Sequence, residues 1–179
     1  MFAILITALV AFFVSSLFGY VVHRSLHQPW TGRLNKKHMT HHLILYPPTN
    51  YLSEEYRQAG KDNTVITFTI AAMPLVIIPI LLGVLGILPL SLVITTLIVM
   101  GFMGFAHDQL HDAFHIRNHF LTRIPGVRNI FAYWNQLHYL HHIDMQKNFG
   151  IFLFHWDHVF RTYWKNDGKE DIYVPYRRD

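Results

Sequence analysis

Residues 90–111 read LSLVITTLIVMGFMGFAHDQLH. Seventeen positions carry no charge and no histidine, and then His107-x-x-x-His111 begins. The run closes an uncharged block that covers 63–106, 44 consecutive positions. A helix of about 20 apolar residues crosses a bilayer once, so this block has the length for two crossings. It reads as a helical hairpin, with legs at 64–82 and 90–106 and a turn at 83–89 on the far side. Pro74 and Pro79 are tolerated as kinks in a membrane helix, and Gly101-x-x-Gly104 leaves room for close helix contact. Histidines four apart share one helix face. The return leg therefore presents a pair of imidazoles where it leaves the membrane.

The same design occurs earlier in the chain. Residues 1–22 hold no Lys, Arg, Asp, Glu or His, and 2–22 reads as a first transmembrane helix. The positively charged start and small-residue cleavage site of a signal peptide are missing. The run leads directly into His23-x-x-x-His27, so it reads as a retained anchor. Pro29 and Gly32 break the chain. A short helix over 34–45 then carries His38-x-x-His41-His42, and Pro47-Pro48 ends it because proline cannot continue a helix. After the hairpin the order repeats, as His107-x-x-x-His111 and then His138-x-x-His141-His142. The sequences between the boxes do not align, so what repeats is the design. The expected organisation is one membrane domain: a transmembrane helix at 1–22, polar boxes at 23–62, a transmembrane hairpin at 63–106, and polar boxes with a tail at 107–179.

Composition supports this fold class. The chain has 179 residues, 51% hydrophobic and 15% charged, against about 25% charged in an average soluble domain. The expected fold is an all-α integral membrane protein with about three to four transmembrane helices and a cytosolic, His-rich helical cap. With three crossings, 23–62 and 107–179 share one side, which then holds all 15 Lys and Arg. The positive-inside rule makes that side cytoplasmic, in a bacterial inner membrane or the endoplasmic reticulum. Four crossings would divide the boxes between the two faces. Cysteine is absent, which excludes disulfides, thiolate zinc sites and iron–sulfur clusters within the chain. The net charge of +4 suits anionic membrane lipid or an acidic protein partner, not nucleic acid.

Ten of the fourteen histidines lie in the four boxes. Imidazole is the commonest protein ligand for transition metals near neutral pH. Ten rings exceed the roughly four to six ligands of one ion and suit two. Each HxxxH can give two nitrogens and each HxxHH up to three. Soluble di-iron bundles use mainly glutamates, whereas Glu54 and Glu55 lie outside the boxes here, so the site must be nearly all nitrogen.

The order HxxxH, HxxHH, HxxxH, HxxHH resembles that of the membrane fatty acid hydroxylase/sterol desaturase superfamily. The likeness extends to Asn148-Phe149-Gly150-Ile151 and to Trp156-Asp157-x-x-Phe160-x-Thr162-Tyr163, with Arg161 where many members have Gly. Pro47-Pro48 is similar to fatty acid 2-hydroxylases, and carotenoid hydroxylases share the box scheme. The resemblance implies a non-haem di-iron oxygenase, with two Fe ions held by His23, His27, His38, His41, His42, His107, His111, His138, His141 and His142. It implies O2 as co-substrate and a lipid substrate. Zinc can replace iron during over-expression. No dinucleotide fingerprint or haem-attachment motif is present, so electrons are expected from a separate partner, a cytochrome b5 or a ferredoxin with its reductase.

Other residues are secondary candidates. His115 and His119 continue the i+4 stripe from His107 and His111. His115 could be an extra ligand or proton carrier, but the preferred reading of the pair is a polar flank near lipid headgroups. His155, His158, Asp144 and Asp157 are possible outer partners of the ligands. Asp108 and Asp112 point about 100° away from the ligand face. Phe131, Tyr133, Trp134 and Tyr139 read as an interfacial aromatic belt in preference to an acyl channel. The tail from 165 reads as an exposed cap. The expected activity is oxygen-dependent hydroxylation of a fatty acyl chain, with a carotenoid or sterol hydroxylase or desaturase as the alternative. A zinc hydrolase would need a carboxylate base as in HExxH, which is missing. A metal transporter would place ligands at mid-membrane depth, where the apolar blocks hold none.

Overall fold

The computed structural model describes residues 1–57 and 68–165. Among the described residues six α-helices follow one another: α1 (Phe2–Leu26), α2 (Arg33–Thr40), α3 (Phe68–Val84), α4 (Leu90–Phe114), α5 (Val127–Ile143) and α6 (His155–Val159). Among the described residues the only extended pairing is an isolated bridge between Ser53 and Ile116. The fold is all-helical. The chain forms two compact units, one of Met1–Val22 with Ile66–Gln109 and the other of His23–Val65 with Leu110–Asp179. Both divisions on the N-terminal and α4 sides fall inside continuous helices, α1 and α4.

The first unit is apolar. α1 and α4, at 25 residues each, are long and apolar enough to cross a bilayer, with mean hydropathies of 2.4 and 1.9 over their most apolar windows. Only 17% and 22% of those windows is buried inside the chain, whereas the core helix of a soluble protein would be mostly covered. Ile94, Ile98, Phe102 and Phe105 are all exposed, and their spacing of four, four and three forms one stripe on α4. Such a surface is stable against lipid and costly against water. These helices mark a membrane-associated protein. α3 has 17 residues, about 25 Å of helix, and is shorter than the other two. The start of the expected hairpin, 63–67, lies outside the described residues. Its turn follows Val84, and α4 begins after Pro89, as expected. The close approach within the hairpin is not at Gly101, where a Cβ would meet nothing; it is at Gly83, where a Cβ would lie 2.8 Å from Val93 Cγ2.

The second unit is built around histidines. α1 continues past Val22 to Leu26, keeping His23 and His27 on one helix face. Thr31 Oγ1 donates to the Gln28 carbonyl at 2.8 Å and Asn35 Nδ2 to that of Leu26 at 2.8 Å. These bonds satisfy carbonyls that the helix end leaves unpaired and fold α2 back beside the end of α1. α2 runs into a π-helical turn over His41–Leu45, closed by the Tyr46 N–H to the His41 carbonyl at 2.9 Å. Pro47 then stops the helix. In α5, Phe131, Asn135, His138 and His142 are buried on one face, and Asn135 Nδ2 donates at 2.7 Å to the Phe114 carbonyl at the end of α4.

Two readings of exposure are corrected here. Phe131 and Tyr139 are buried, so they do not form an interfacial belt. Phe131 packs on Phe114 with ring centroids 5.4 Å apart, and Tyr139 on Tyr51 at 5.0 Å. From Phe131 to His142 α5 is mostly a packed core helix, while its first turn, Tyr133 and Ile143 are exposed. His115 is the second correction. It is fully buried, because α4 ends at Phe114 and a turn from the Asp112 carbonyl to the His115 N–H (3.1 Å) carries the ring off the helix stripe and inward.

Candidate metal centre

Nine imidazoles converge in the second unit as two sets. His23, His27, His38, His42 and His141 each offer one nitrogen, all within 4.8 Å of one another, and His41, His115, His138 and His142 do the same. Two nitrogens on opposite sides of one metal ion are about 4.2 Å apart, so each set has the dimensions of a coordination shell. The sets adjoin: the His42 and His142 rings are 4.1 Å apart. Adjacent residues are thus divided between sets, His41 from His42 and His141 from His142, because they point about 100° apart on a helix.

The directions of four rings, two in each set, are fixed by backbone. His23 Nδ1 lies 2.7 Å from the Phe149 carbonyl and His141 Nδ1 2.6 Å from that of Lys147. In the second set, His142 Nδ1 lies 2.7 Å from the Tyr46 carbonyl and His115 Nδ1 3.2 Å from that of Tyr51. A carbonyl only accepts, so Nδ1 is the protonated nitrogen in each ring and Nε2 carries the lone pair. This is the outer arrangement that metal-bound histidines use.

The Nε2 atoms of each set face one another. His27 Nε2 lies 2.8 Å from His38 Nε2 and 3.1 Å from His141 Nε2, and His38 Nε2 lies 3.1 Å from His42 Nε2. In the second set His138 Nε2 lies 3.3 Å from His115 Nε2. The Nε2 atoms of His41 and His142 are buried with no hydrogen-bond partner. Protons do not resolve this crowding. Burial pushes His27 down to about 4 and His142 down to about 3. Burial first, and neighbouring imidazoles second, also hold His38, His41, His42, His115, His138 and His141 well below the usual range. Buried, neutral, convergent nitrogens fit divalent transition metal ions.

The fatty acid hydroxylase family matches this sequence over residues 8–162, from within α1 to the loop beyond α6. The chain belongs to the fatty acid hydroxylase family. No curated protein and no solved structure matches it. Membership makes the chain one of a family of lipid-modifying oxidative enzymes, and the histidine sets are where such an enzyme could hold metal.

The chain brings together eight of the ten expected ligands with His115. His111 belongs to neither set, but its ring borders the second one, with centroids 4.7 Å from His41 and 4.9 Å from His138. His107 lies in the other unit, and its Nδ1 is 4.0 Å from Asp108 Oδ1. Asp112 Oδ1 is 3.6 Å from His111 Nδ1, beyond hydrogen-bond range. His155 packs on Trp156 with the rings tilted at 49°, and the exposed His158 stacks on Tyr163 at 3.9 Å; neither is in a set. His119 caps the short turn at Phe120–Arg123 by accepting from the Leu121 N–H.

The two aspartates act on backbone, not on rings. Asp144 Oδ1 accepts from the Gln146 N–H at 2.9 Å and shapes the turn that brings up the Lys147 carbonyl. Asp157 is fully buried and accepts from the Phe149 N–H (2.8 Å), the Gly150 N–H (2.8 Å) and Thr162 Oγ1 (2.7 Å). Burial pushes its carboxyl up while these three bonds oppose the shift. Gly150 is required by the same loop: a Cβ there would lie 2.7 Å from the Leu153 carbonyl oxygen and 2.9 Å from Asp157 Oδ2. Asn148, at φ +53°, completes the loop, donating to the Leu137 and Trp164 carbonyls at 3.1 and 2.7 Å. The four carbonyls that orient the rings have no signature in sequence, since every residue carries one.

Proposed function

We propose that this protein is a membrane-bound, oxygen-dependent di-iron hydroxylase that acts on an unactivated C–H bond of a lipid, a fatty acyl chain in the first instance. The reading is carried by the two adjoining sets of buried, neutral imidazoles in a chain of the fatty acid hydroxylase family. Iron is preferred over zinc because oxygen chemistry needs a metal that changes oxidation state, and imidazole binds divalent iron. Iron, when bound, supplies the redox chemistry that activates O2 for C–H attack.

The chain's own residues supply placement. His23, His27, His38, His42 and His141 would hold one ion, and His41, His115, His138 and His142 the other, with His111 beside the second. The Phe149, Lys147, Tyr46 and Tyr51 carbonyls fix the protonated nitrogen of four rings, so those rings need no reorientation to bind. Burial keeps the rings unprotonated near neutral pH, and with them the nitrogens that must donate. His23 follows Val22 directly on α1, so a ligand begins where the apolar part of a membrane-length helix ends. A lipid alkyl chain meets the protein at that depth. The basic residues of 23–57 and 107–165 are read as cytoplasmic, and they suit an acidic electron-transfer partner such as a cytochrome b5 or a ferredoxin.

The test is lipid profiling by mass spectrometry in cells expressing the wild-type chain or His141→Ala, with iron content and oxygen uptake measured on purified protein. A hydroxylated acyl product that depends on His141, together with two irons per chain and uptake that requires an electron donor, is expected. A new double bond, or a product only in cells fed a carotenoid or sterol, would move the substrate or outcome within the same chemistry. Metal binding without oxygen uptake under any donor would end the oxygenase reading.

A further inference from the structure

We propose that Arg57 and Asp157 are paired positioning residues, each holding one of the two nitrogen sets through its own loop. The inference rests on the two-metal reading above. Each set takes its orientation from two carbonyls of one loop. The first set uses Lys147 and Phe149, which bond His141 and His23. The second uses Tyr46 and Tyr51, which bond His142 and His115. A loop carbonyl can aim a ring only if the loop is itself fixed, and each loop is fixed by one charged side chain of opposite sign.

Asp157 gathers donors. Its two oxygens take the N–H groups of Phe149 and Gly150 and the Thr162 hydroxyl. Arg57 gathers acceptors. Its Nη1 donates to the Leu45 carbonyl at 2.6 Å and the Asn50 carbonyl at 3.2 Å. Its Nη2 donates to Asn50 Oδ1 at 2.9 Å and the Leu52 carbonyl at 3.3 Å. Its backbone N–H donates to the Tyr46 hydroxyl, and its guanidinium lies 5.3 Å from the Tyr46 ring centroid. Arg57 thus ties the loop both before Tyr46 and after Tyr51. The Tyr46 ring is fully buried and stacks on His115 at 4.0 Å and 24°, so its carbonyl and its ring both serve the second set. The far end of the loop is tied to the segment that follows α4, where the Ser53 N–H donates to the His115 carbonyl at 2.9 Å and the Arg117 N–H to the Ser53 carbonyl at 2.8 Å.

Only a planar fork with five donors reaches this set of acceptors from one point. Arg57 acts through Tyr46 and Tyr51, and Asp157 through Phe149 and the loop that includes Lys147. The two sets should therefore be separable: weakening one loop leaves the other set's carbonyls in place.

Co2+ titration of the full-length, metal-stripped protein in detergent, followed by visible absorption, tests this. Each phase of the titration is assigned by the ligand variant that weakens it, His23→Ala for the first set and His115→Ala for the second. Arg57→Gln should weaken the second-set phase by about 10–100-fold, the usual effect of losing an outer partner of a ligand. It should change the first-set phase by no more than about 2-fold. Asp157→Asn should give the reverse pattern. Arg57→Lys, which keeps the charge but not the fork, should repeat the Arg57→Gln result and serves if Arg57→Gln does not fold. Equal weakening of both sets would mean a general loss of structure and would overturn the assignment. So would undisturbed binding at the set each residue is said to hold. A wild-type chain that binds no Co2+ would instead end the metal-centre reading itself.

Discussion

Acidifying the metal-free protein should destabilise it steeply from about pH 6.5 downwards. His27 is held at about 4 and His142 at about 3, against about 6.5 for a free imidazole in the unfolded chain. A base whose folded pKa is depressed keeps its full stabilising contribution above the unfolded pKa. That contribution is lost as the pH falls from about 6.5 towards the folded value, because the unfolded chain binds the proton first. Between pH 7.5 and 5.5 each ring should remove about 1.35 kcal/mol, and the two together about 2.7 kcal/mol. Six further rings of the sets shift in the same direction, so this is a lower bound. For a chain of this size the melting temperature should drop by at least about 5–11 °C. The assay is thermal unfolding in detergent at closely spaced pH values after chelation. His142→Asn should reduce the pH dependence by about 1.35 kcal/mol over the same interval, whatever it does to stability at pH 7.5. Bound divalent metal should raise the whole curve and move its acid limb lower, since only the folded chain presents the convergent nitrogens. A melting temperature that stays flat or rises from pH 7.5 to 5.5 would refute the neutral, buried state of these rings.

Three further outcomes follow from particular residues. Arg161 is exposed and sits at φ +58°, so Arg161→Gly should raise stability by about 1 kcal/mol, read as a higher melting temperature with metal content unchanged. Gly150→Ala would drive a Cβ against the Leu153 carbonyl and Asp157; it should cost about 1–3 kcal/mol, and in Co2+ titration its loss of affinity should fall on the first set. Asn135 is fully buried and donates to the Phe114 carbonyl, so Asn135→Ala should cost about 1–3 kcal/mol, measured as a shifted unfolding midpoint.

Much of the centre was legible before any coordinate. HxxxH and HxxHH place their rings by helix geometry alone, and eight box histidines enter the two sets. His115 shows where such reasoning fails. Its i+4 spacing from His111 is correct arithmetic for a helix that continues, but α4 ends one residue earlier and the ring turns inward. His107 keeps its place on α4 and yet belongs to the other unit. Phe131 and Tyr139 looked like interfacial aromatics because composition carries no record of which face of α5 is packed. Asp157 was noticed for its neighbourhood in sequence, but its partners are backbone N–H groups seven and eight residues away. Arg57 gave no signal, since a lone arginine in a polar loop is unremarkable until five backbone and side-chain groups converge on it.

By itself the sequence determined that the chain is helical, that two of its runs are apolar enough to enter a bilayer, and that its candidate metal ligands are imidazoles. Those properties depend on periodicity and residue type, which are local. Only the tertiary structure decided how the rings are divided into two sets, that His115 joins them, and which nitrogen of each oriented ring points into its set. The reason is physical. A ring's protonated nitrogen is chosen by the carbonyl it meets, and here those carbonyls come from loops 6 to 126 residues away along the chain, whose positions are fixed by packing and hydrogen bonds.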